Sequence, residues 1–250
     1  SRVTAIGDDG QKVGVMHACG HDVHMTVWFG AAQQLAKNPG SWRGTLVFVG
    51  QPAEETGVGA QAMIADGLLT KFPKPAFAIA LHDTNALAAG TVGWVKGYAL
   101  ANVDSIDLTI YGRGGHGAYP HTAVDPIAIA AKVVLSLQTL VSRENNPLDP
   151  AVVTVGSIHA GTKHNIIPDE VKLQITARSY KPEVRQALRD GILRIAKAEA
   201  MAARAPKEPV MKVAEGAQSV FNDPALTERL AAAVGKALGP DRVTETERVM

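Results

Sequence analysis

The side chains that could do chemistry are concentrated in three short segments of the first third of the sequence. The first segment, residues 16–24 (MHACGHDVH), places Cys19 and His21 two residues apart. Gly20 between them allows a backbone turn that would direct both side chains towards one metal ion. A thiolate with an imidazole suits zinc, cobalt, nickel or manganese-like divalent ions, and ligand softness favours the first three. Taken alone, the segment is equally well a buried cysteine and capping polar residues where a strand meets a helix.

The second segment, residues 51–57 (QPAEETG), contains two adjacent glutamates, Glu54 and Glu55. Adjacent side chains of an extended chain point in different directions, so one carboxylate could bind a metal ion while the other accepts a proton from water. Two free carboxylates here would repel each other and raise one pKa, and a divalent cation would reverse that effect. The alternative is an acidic, solvated loop before a helix N-terminus, which is common.

The third segment is His82-Asp83, directly after the apolar run 76–81. A single histidine after a strand is more often structural than a ligand. Here, however, three apolar runs (13–16, 45–49 and 76–81) each end in residues that can bind metal. Such short runs are typical of buried strands. The carboxyl ends of parallel strands meet at one edge of a sheet. The three segments together therefore predict a metal site at that edge.

Two further clusters lie later in the chain. Residues 112–117 (GRGGHG) place His116 among glycines, which allow a ligand to approach the backbone closely; a flexible turn is the alternative. Their spacing is not that of a dinucleotide-binding fingerprint. Asn165, with Arg178 at the end of the next predicted strand, suits a carboxylate, which arginine can hold through two parallel hydrogen bonds. For Arg178 alone, a surface salt bridge is at least as good an interpretation.

The elements that would position these residues change in type near Gly97. Before it, the apolar runs alternate with helical stretches at 24–37 and 59–69. This alternation predicts an α/β domain with a mixed or parallel sheet and helices on both faces. After it, residues 105–111 alternate strictly between apolar and polar, which is typical of a strand with one exposed face.

The second part continues with alternating strand and helix patterns. The predicted elements are helix 126–141, strands 152–158 and 171–177, and helices 182–204 and 224–238. The order β-α-β-β-α is that of a small α+β sandwich of the split-βαβ, ferredoxin-like type. We therefore predict an α/β catalytic domain, residues 1–97 plus 210–250, interrupted by an inserted α+β domain at 98–209.

Composition excludes several classes of function. With 25 Lys and Arg against 24 Asp and Glu, the net charge of +1 gives no field that would attract nucleic acid or an anionic membrane. The single cysteine excludes an internal disulfide framework. No apolar run approaches the ~20 residues of a membrane-spanning helix. No signal-like segment is recognisable, which by itself says little about the compartment. The expected location is the cytoplasm.

Several motifs together resemble one known family. MHACGHDVH, QPAEETGVGA, GRGGHGAYPH, the VDPI segment at Val124 and NIIPDE occur in the order expected for the M20 family of metallopeptidases and amidohydrolases. The greatest similarity is to subfamily D, which comprises hippurate hydrolases, N-acyl-amino-acid amidohydrolases (aminoacylases) and auxin-conjugate hydrolases. The resemblance runs through nearly the whole chain, and Cys-Gly-His-Asp together with Pro-Ala-Glu-Glu is its most specific part.

The resemblance implies a hydrolase with two divalent metal ions per subunit (zinc, manganese, cobalt or nickel) and an inserted lid domain that often forms a homodimer. The implied metal ligands are Cys19, His21, Glu55 and His82. Glu54 corresponds to the general base. His116 corresponds to a lid histidine that reaches the active site of the partner subunit and stabilises an oxyanion. Asn165 and Arg178 correspond to lid residues that bind the substrate carboxylate.

Members of this family are longer than the present sequence. The resemblance implies a strand containing Arg-Ala-Asp before Ser1. It also implies a Ser-Glu-Asp-Phe segment and a late histidine after Met250, and that histidine would complete the metal site. We therefore interpret the sequence as a fragment, incomplete at both ends, that carries four of the five implied ligand side chains.

These features give one main hypothesis and two alternatives. The main hypothesis is hydrolysis of the amide bond of N-acyl or N-aroyl amino acids to a carboxylic acid and an amino acid, with Glu54 as base for a metal-activated water. In the first alternative Cys19 is a nucleophile with His21 or His17 as its base, which leaves the acidic pair and His82 without a role. The second is a catalytically impaired protein that binds carboxylate ligands or dimerises. The expected partners are a small-molecule substrate and a second copy, without nucleic acid or membrane.

Overall fold

The computed structural model describes residues 2–7, 10–16 and 18–250 of the chain. His17, which the nucleophile hypothesis offers as a base, lies outside the described residues. The chain divides into two compact units, Ser1–Ala89 and Gly90–Met250. Strands and helices occur in both units, so the protein is a mixed α/β protein.

The described part of the first unit contains two short strands and two α-helices. β1 (Thr4–Ile6) pairs antiparallel with β2 (Lys12–Gly14). α1 (His21–Lys37) follows, and α2 (Gly59–Ala65) comes after the acidic segment. α1 begins three residues before the predicted start at residue 24 and ends where Pro39 prevents its continuation. This earlier start brings the Cys19-Gly20-His21 turn directly to the helix N-terminus.

The structure corrects the prediction of a parallel sheet in the first unit. The run 13–16 is a strand only as far as Gly14, and the runs 45–49 and 76–81 are not strands. Their apolar side chains are largely exposed, Ile79 to 68%. An apolar run becomes a buried strand only where neighbouring strands pair with its backbone and other side chains cover it. Within residues 2–7, 10–16 and 18–89, the one ladder is antiparallel β1–β2, so the predicted parallel sheet is not formed there.

Residues 90–250, the second unit, form ten strands and three α-helices. The strands are β3 (Val92–Trp94), β4 (Gly97–Leu100), β5 (Asn102–Tyr111), β6 (Gly115–His116), β7 (Ala151–His159), β8 (Ile166–Ile167), β9 (Glu170–Ser179), β10 (Val210–Ala217), β11 (Val220–Asn222) and β12 (Val243–Glu245). The helices are α3 (Pro126–Thr139), α4 (Pro182–Ala202) and α5 (Pro224–Leu238). The predicted strands at 105–111, 152–158 and 171–177 are therefore confirmed, as are the helices that follow them.

The core of the second unit lies between a four-stranded antiparallel sheet and two helices. The strand order is β10-β5-β9-β7. Ile106, Leu108 and Ile110 alternate along β5 and are buried, as their period of two predicts, because α3 and α4 cover that face. β10 pairs with β5, so the four-stranded sheet includes residues as far as Ala217.

Three smaller strand pairs complete the second unit. β4 pairs antiparallel with β11, β3 pairs in parallel with β12, and β6 pairs antiparallel with β8. The compact units place residues 210–250 together with 98–209. The division into a catalytic domain of 1–97 plus 210–250 and an inserted domain stays a prediction.

One helical segment is long and apolar enough to cross a membrane, although the sequence led us to expect none. It is Pro126–Glu144, which comprises α3 and the π-helical turn after it, and it meets the criterion by length and composition only. One face of α3, including Ile129, Val133 and Leu137, is buried in the core of the second unit. This packing is that of a core helix, whose buried face explains its apolar composition.

Candidate metal centre

The turn before α1 positions Cys19 and His21. Gly20 adopts a left-handed conformation with φ of 67° and is the N-cap of α1. Glycine tolerates this conformation without the steric cost that a side chain would bring. The turn allows the two flanking side chains to approach the same region, as the sequence predicted.

The first donor group joins this turn to the segment after residue 81. The Sγ atom of Cys19 lies 3.5 Å from Nε2 of His82. A nitrogen of His21 completes the group, and the three ligand atoms lie within 4.8 Å of one another. Thus the side chains of Cys19, His21 and His82 converge although residues 76–81 form no strand.

The second donor group contains the acidic pair. Nε2 of His21 lies 3.3 Å from Oε2 of Glu54 and 3.5 Å from Oε1 of Glu55. A turn places the carboxylates here rather than the extended chain that we expected, and in it the amide of Gly57 donates to the carbonyl oxygen of Glu54 at 2.8 Å. Gly59 packs against the same turn, where a Cβ atom would lie 1.6 Å from the carbonyl oxygen of Pro52. His21 therefore belongs to both donor groups.

The distances between donor atoms fit metal coordination. Ligands at 2.0–2.3 Å from a tetrahedral zinc ion are themselves separated by roughly 3.3–3.8 Å. The contacts from Cys19 to His82 and from His21 to the two glutamates, at 3.3–3.5 Å, lie within that range. The two adjoining groups share one histidine and together offer sulfur, nitrogen and oxygen donors. Such a donor set suits a pair of divalent cations.

The acidic surroundings act on the thiol of Cys19. Desolvation raises the pKa of Cys19, and the negative charges of Glu55, Glu54 and Asp83 raise it further. A raised pKa keeps the sulfur protonated and weakly nucleophilic, which opposes the cysteine-nucleophile hypothesis. A divalent cation reverses this balance because it stabilises the thiolate directly.

His24, His82 and Asp83 form a third group, in which the sequence predicted a role for His82 alone. Nε2 of His24 lies 2.9 Å from Oδ1 of Asp83 and 3.1 Å from its backbone nitrogen. His24, His82 and Asp83 present ligand atoms within 4.8 Å of one another. The available signal was helical spacing, because His24 follows His21 by three residues and therefore lies on the same face of α1.

The second unit positions His116 and Asn165 together. β6 and β8 set His116 opposite Ile166, and the amide of Gly117 donates to the carbonyl oxygen of Asn165 at 2.8 Å. Nδ1 of His116 accepts a hydrogen bond from the amide of Ala118 at 3.1 Å. Because Nδ1 accepts this hydrogen bond, a neutral His116 ring carries its proton on Nε2, which can then donate a hydrogen bond.

Arg178 lies near the opposite end of β9 from the His116–Asn165 pair. In the register of β9 on β5, Glu170 faces Tyr111 and Arg178 faces Val103. Eight residues of strand span about 26 Å, at ~3.3 Å per residue. Nη1 of Arg178 donates to the carbonyl oxygen of Met250 at 3.1 Å. The structure therefore brings His116 and Asn165 together, and it places Arg178 eight residues along β9 from Glu170.

Comparison with known proteins identifies relatives over almost the whole chain. The sequence profile of the peptidase family M20/M25/M40 matches residues 7–250. An N-acetyl-L-cysteine deacetylase of Bacillus subtilis (strain 168) is 39% identical over 224 residues, which are 90% of this chain and 53% of the relative. IAA-amino acid hydrolase ILR1-like 5 of Arabidopsis thaliana is 40% identical over 182 residues, 73% of this chain and 41% of the relative. The chain thus spans about half the length of these relatives.

A solved structure has a similar fold. The YXEP protein of Bacillus subtilis, described as a dinuclear metal binding peptidase from the M20 family, superimposes with a TM-score of 0.74 and 29% sequence identity. The superposition covers 94% of this chain and 58% of that protein.

Proposed function

This chain belongs to the peptidase family M20/M25/M40, and from that premise we propose that it takes part in metal-dependent hydrolysis of N-acyl or N-aroyl amino acids. The products are a carboxylic acid and an amino acid. The observation that carries the proposal is the pair of donor groups that share His21. The names of the relatives, an N-acetyl-L-cysteine deacetylase and an IAA-amino acid hydrolase, support an N-acyl amino acid as substrate.

The residues proposed to hold two divalent ions are Cys19, His21, Glu55 and His82. When bound, such ions lower the pKa of a water molecule towards neutrality and polarise the carbonyl group of the substrate. The donor set of one thiolate, two imidazoles and one carboxylate does not select a single metal among zinc, cobalt, nickel and manganese.

Glu54 is proposed as the general base. Its carboxylate lies beside the donor groups, 3.3 Å from Nε2 of His21, and its side chain is 53% exposed, so that water and substrate can reach it. Glu54 accepts the proton of the attacking water and returns it to the departing amine, which balances the proton over the reaction. Glu55, one residue further, stays available as a ligand.

Three residues of the second unit are proposed to act on the substrate. The Nε2 proton of His116 would donate to the oxygen that becomes negatively charged as water attacks, an effect commonly worth a few kcal/mol per donor. Asn165 and Arg178 are proposed to select substrates with a free carboxylate. Arg178 lies eight residues along β9 from Glu170, the end of the strand that follows Asn165, and we propose that a single substrate that contacts both receives them from two copies of the chain. A homodimer through residues 98–209 is therefore part of the proposal, and a cytoplasmic location stays a prediction.

The role of Glu54 is tested by Glu54→Gln in the complete gene product. We expect the metal content to stay at the wild-type level and kcat for N-acetyl and N-benzoyl amino acids to fall by roughly 10²-fold or more, because the amide cannot accept the proton. Glu55→Gln is the matched control, and it should lose metal. Turnover at the wild-type rate by Glu54→Gln would contradict the assignment of the base.

The variant Cys19→Ser distinguishes the cysteine-nucleophile hypothesis from metal ligation by the thiolate. Loss of bound metal measured by elemental analysis supports ligation by the thiolate. Full metal content with lost turnover would instead support a nucleophile.

A further inference from the structure

We propose that Asp83 is a positioning residue that fixes His82 against the start of α1, and that it does so through Gly20 and His24. We call Asp83, Gly20 and His24 the Asp83 clasp. The inference rests on the proposed metal site, because His82 is one of its ligands. It gives a role to two further side chains, those of His24 and Asp83.

The first observation is the double contact between His24 and Asp83. Nε2 of His24 lies 2.9 Å from the Oδ1 carboxylate oxygen and 3.1 Å from the backbone nitrogen of Asp83. A protonated Nε2 donates to the carboxylate, whereas an unprotonated Nε2 accepts from the backbone amide. In either form, the first turn of α1 is hydrogen-bonded to the residue that follows His82.

The second observation is the close approach of Asp83 to Gly20. A Cβ atom at Gly20 would lie 1.9 Å from Oδ1 and 2.3 Å from Cγ of Asp83. The carboxylate therefore occupies the space that any other residue at position 20 would fill. Since Gly20 separates Cys19 from His21, Asp83 packs directly on the turn that carries two of the proposed ligands.

The third observation concerns the ring of His82. Its Nδ1 lies 2.7 Å from the carbonyl oxygen of Asp83, and a carbonyl can only accept, so Nδ1 carries the proton. The lone pair is then on Nε2, which lies 3.5 Å from Sγ of Cys19. Holding the backbone of Asp83 thus fixes both the tautomer and the direction of the ligand atom of His82.

His24, His82 and Asp83 could instead ligate an ion themselves, since their ligand atoms lie within 4.8 Å of one another. The geometry favours positioning, because the Oδ1 atom of Asp83 and the Nε2 atom of His24 already contact each other at 2.9 Å. The two roles differ in the number of ions that bind at saturation. A lost ligand removes an ion, whereas a lost support weakens binding.

The test compares metal binding by the wild-type protein, Asp83→Ala and Asp83→Asn. We expect Asp83→Ala to lower the affinity for Co²⁺ by roughly 10- to 100-fold, while the stoichiometry at saturation and the thiolate–cobalt absorption stay unchanged. Asp83→Asn retains the shape and one acceptor oxygen and should recover part of the affinity. An affinity within about twofold of wild type in Asp83→Ala, or the loss of one ion at saturation, would overturn the inference.

Gly20→Ala provides a second variant that leaves Asp83 intact. The new Cβ atom displaces the carboxylate, so Co²⁺ affinity should fall as in Asp83→Ala. Gly10→Ala is the matched control, because Gly10 also has a positive φ, of 77°, but no atom within 4 Å of the added Cβ. Gly10→Ala should leave the Co²⁺ affinity unchanged, and an unchanged affinity in Gly20→Ala would contradict the clasp.

A metal-free measurement separates failure of the clasp from failure of the proposed function. Nitrogen-15 NMR of the histidine rings at pH 8 should show His82 as the Nδ1–H tautomer in the wild type and as a mixture in Asp83→Ala. If the wild-type protein binds no metal but this difference is present, the clasp stands and the proposed function fails. If the His82 tautomer is the same in both proteins, the clasp is wrong whatever the metal binding.

Discussion

At the scale of single residues, His21 is the side chain on which the metal site depends most. It lies with Cys19 and His82 in one donor group and with Glu54 and Glu55 in the other. Removing any other ligand disturbs one donor group and one proposed ion, whereas removing His21 takes a ligand from one ion and disturbs the donor group of the other. His21 is also the first residue of α1, so its position is fixed by a regular element.

We predict that His21→Ala loses the ion that its ring nitrogen ligates and binds the other one more weakly, because both donor groups lose a neighbouring side chain. Elemental analysis after equilibration with zinc should find no more than one ion per chain, as it should for Glu55→Gln. His121→Ala, at an exposed histidine of the second unit, is the control and should bind metal normally. A full complement of zinc in His21→Ala would contradict the shared role.

The sequence predicted five side chains that the structure brings together, but for a partly wrong reason. Cys19, His21, Glu54, Glu55 and His82 were expected to meet at the ends of parallel strands, and they meet through turns instead. Their individual roles stay predictions. Asp83 and His24 could not be paired from sequence, because 59 residues separate them and only the folded chain brings α1 to the segment after residue 81.

At the scale of elements, the second unit was more predictable than the first. The alternation along β5 specifies which face of the strand is buried, and α4 has a buried apolar stripe that contains Val184, Leu188, Ile192 and Ile195. Each pattern matches the period of its element. In the first unit, the apolar runs lack such a period, and composition alone cannot say whether a neighbouring strand pairs with them. The register of β10 on β5 was missed for a related reason, since strand pairing depends on non-local contacts.

The sheet and α4 are also joined by a buried ion pair. Asp104 of β5 is 1% exposed and accepts hydrogen bonds from Arg185 at 2.6 and 3.0 Å and from Arg189 at 2.8 Å. Desolvation opposes ionisation of Asp104, but the hydrogen bonds and charges of the two arginines outweigh it and lower its pKa. The charged form is therefore the one that the folded protein stabilises.

This lowered pKa predicts how the stability of the second unit depends on pH. The stabilisation is complete above the ordinary aspartate pKa of 3.8 and is lost as the pH falls through the lower folded-state pKa. Asp104→Asn should reduce the free energy of unfolding at pH 7 by roughly 3–5 kcal/mol, because two arginines lose their buried partner. Its urea unfolding should then vary less between pH 5 and pH 2 than that of the wild type.

Asp107→Asn, at an exposed position of the same strand, is the control for Asp104→Asn and should keep the wild-type pH profile. Equal unfolding free energies for Asp104→Asn and the wild type at pH 7 would show that the ion pair contributes no net stability.

Helix packing in the second unit gives another prediction, at Gly191 of α4. A Cβ atom there would lie 2.4 Å from Cδ2 of Leu140, so Gly191→Ala should destabilise the unit by roughly 1–3 kcal/mol through overpacking. Gly235→Ala in α5 meets no atom within 4 Å and should stabilise its helix by up to about 1 kcal/mol. Chemical denaturation of both variants measures the difference, and stabilisation by Gly191→Ala would contradict the tight contact.

At the scale of the whole molecule, the proposed roles divide between the two compact units. All four proposed metal ligands and Glu54 belong to Ser1–Ala89, whereas His116, Asn165 and Arg178 belong to Gly90–Met250. The chain spans 53% of the Bacillus subtilis deacetylase and 41% of the Arabidopsis hydrolase. Activity is therefore proposed for the complete gene product, and metal binding is the property that the first unit itself should show.

The most direct measurement is X-ray diffraction from crystals of the zinc-loaded protein, recorded at the zinc absorption edge. We predict two anomalous peaks about 3.5–4 Å apart, both beside His21 and one at about 2.3 Å from Sγ of Cys19. No such peak is expected in the second unit. Zinc bound away from Cys19 and His21, or an absence of zinc from crystals grown with it in excess, would contradict the proposed metal centre.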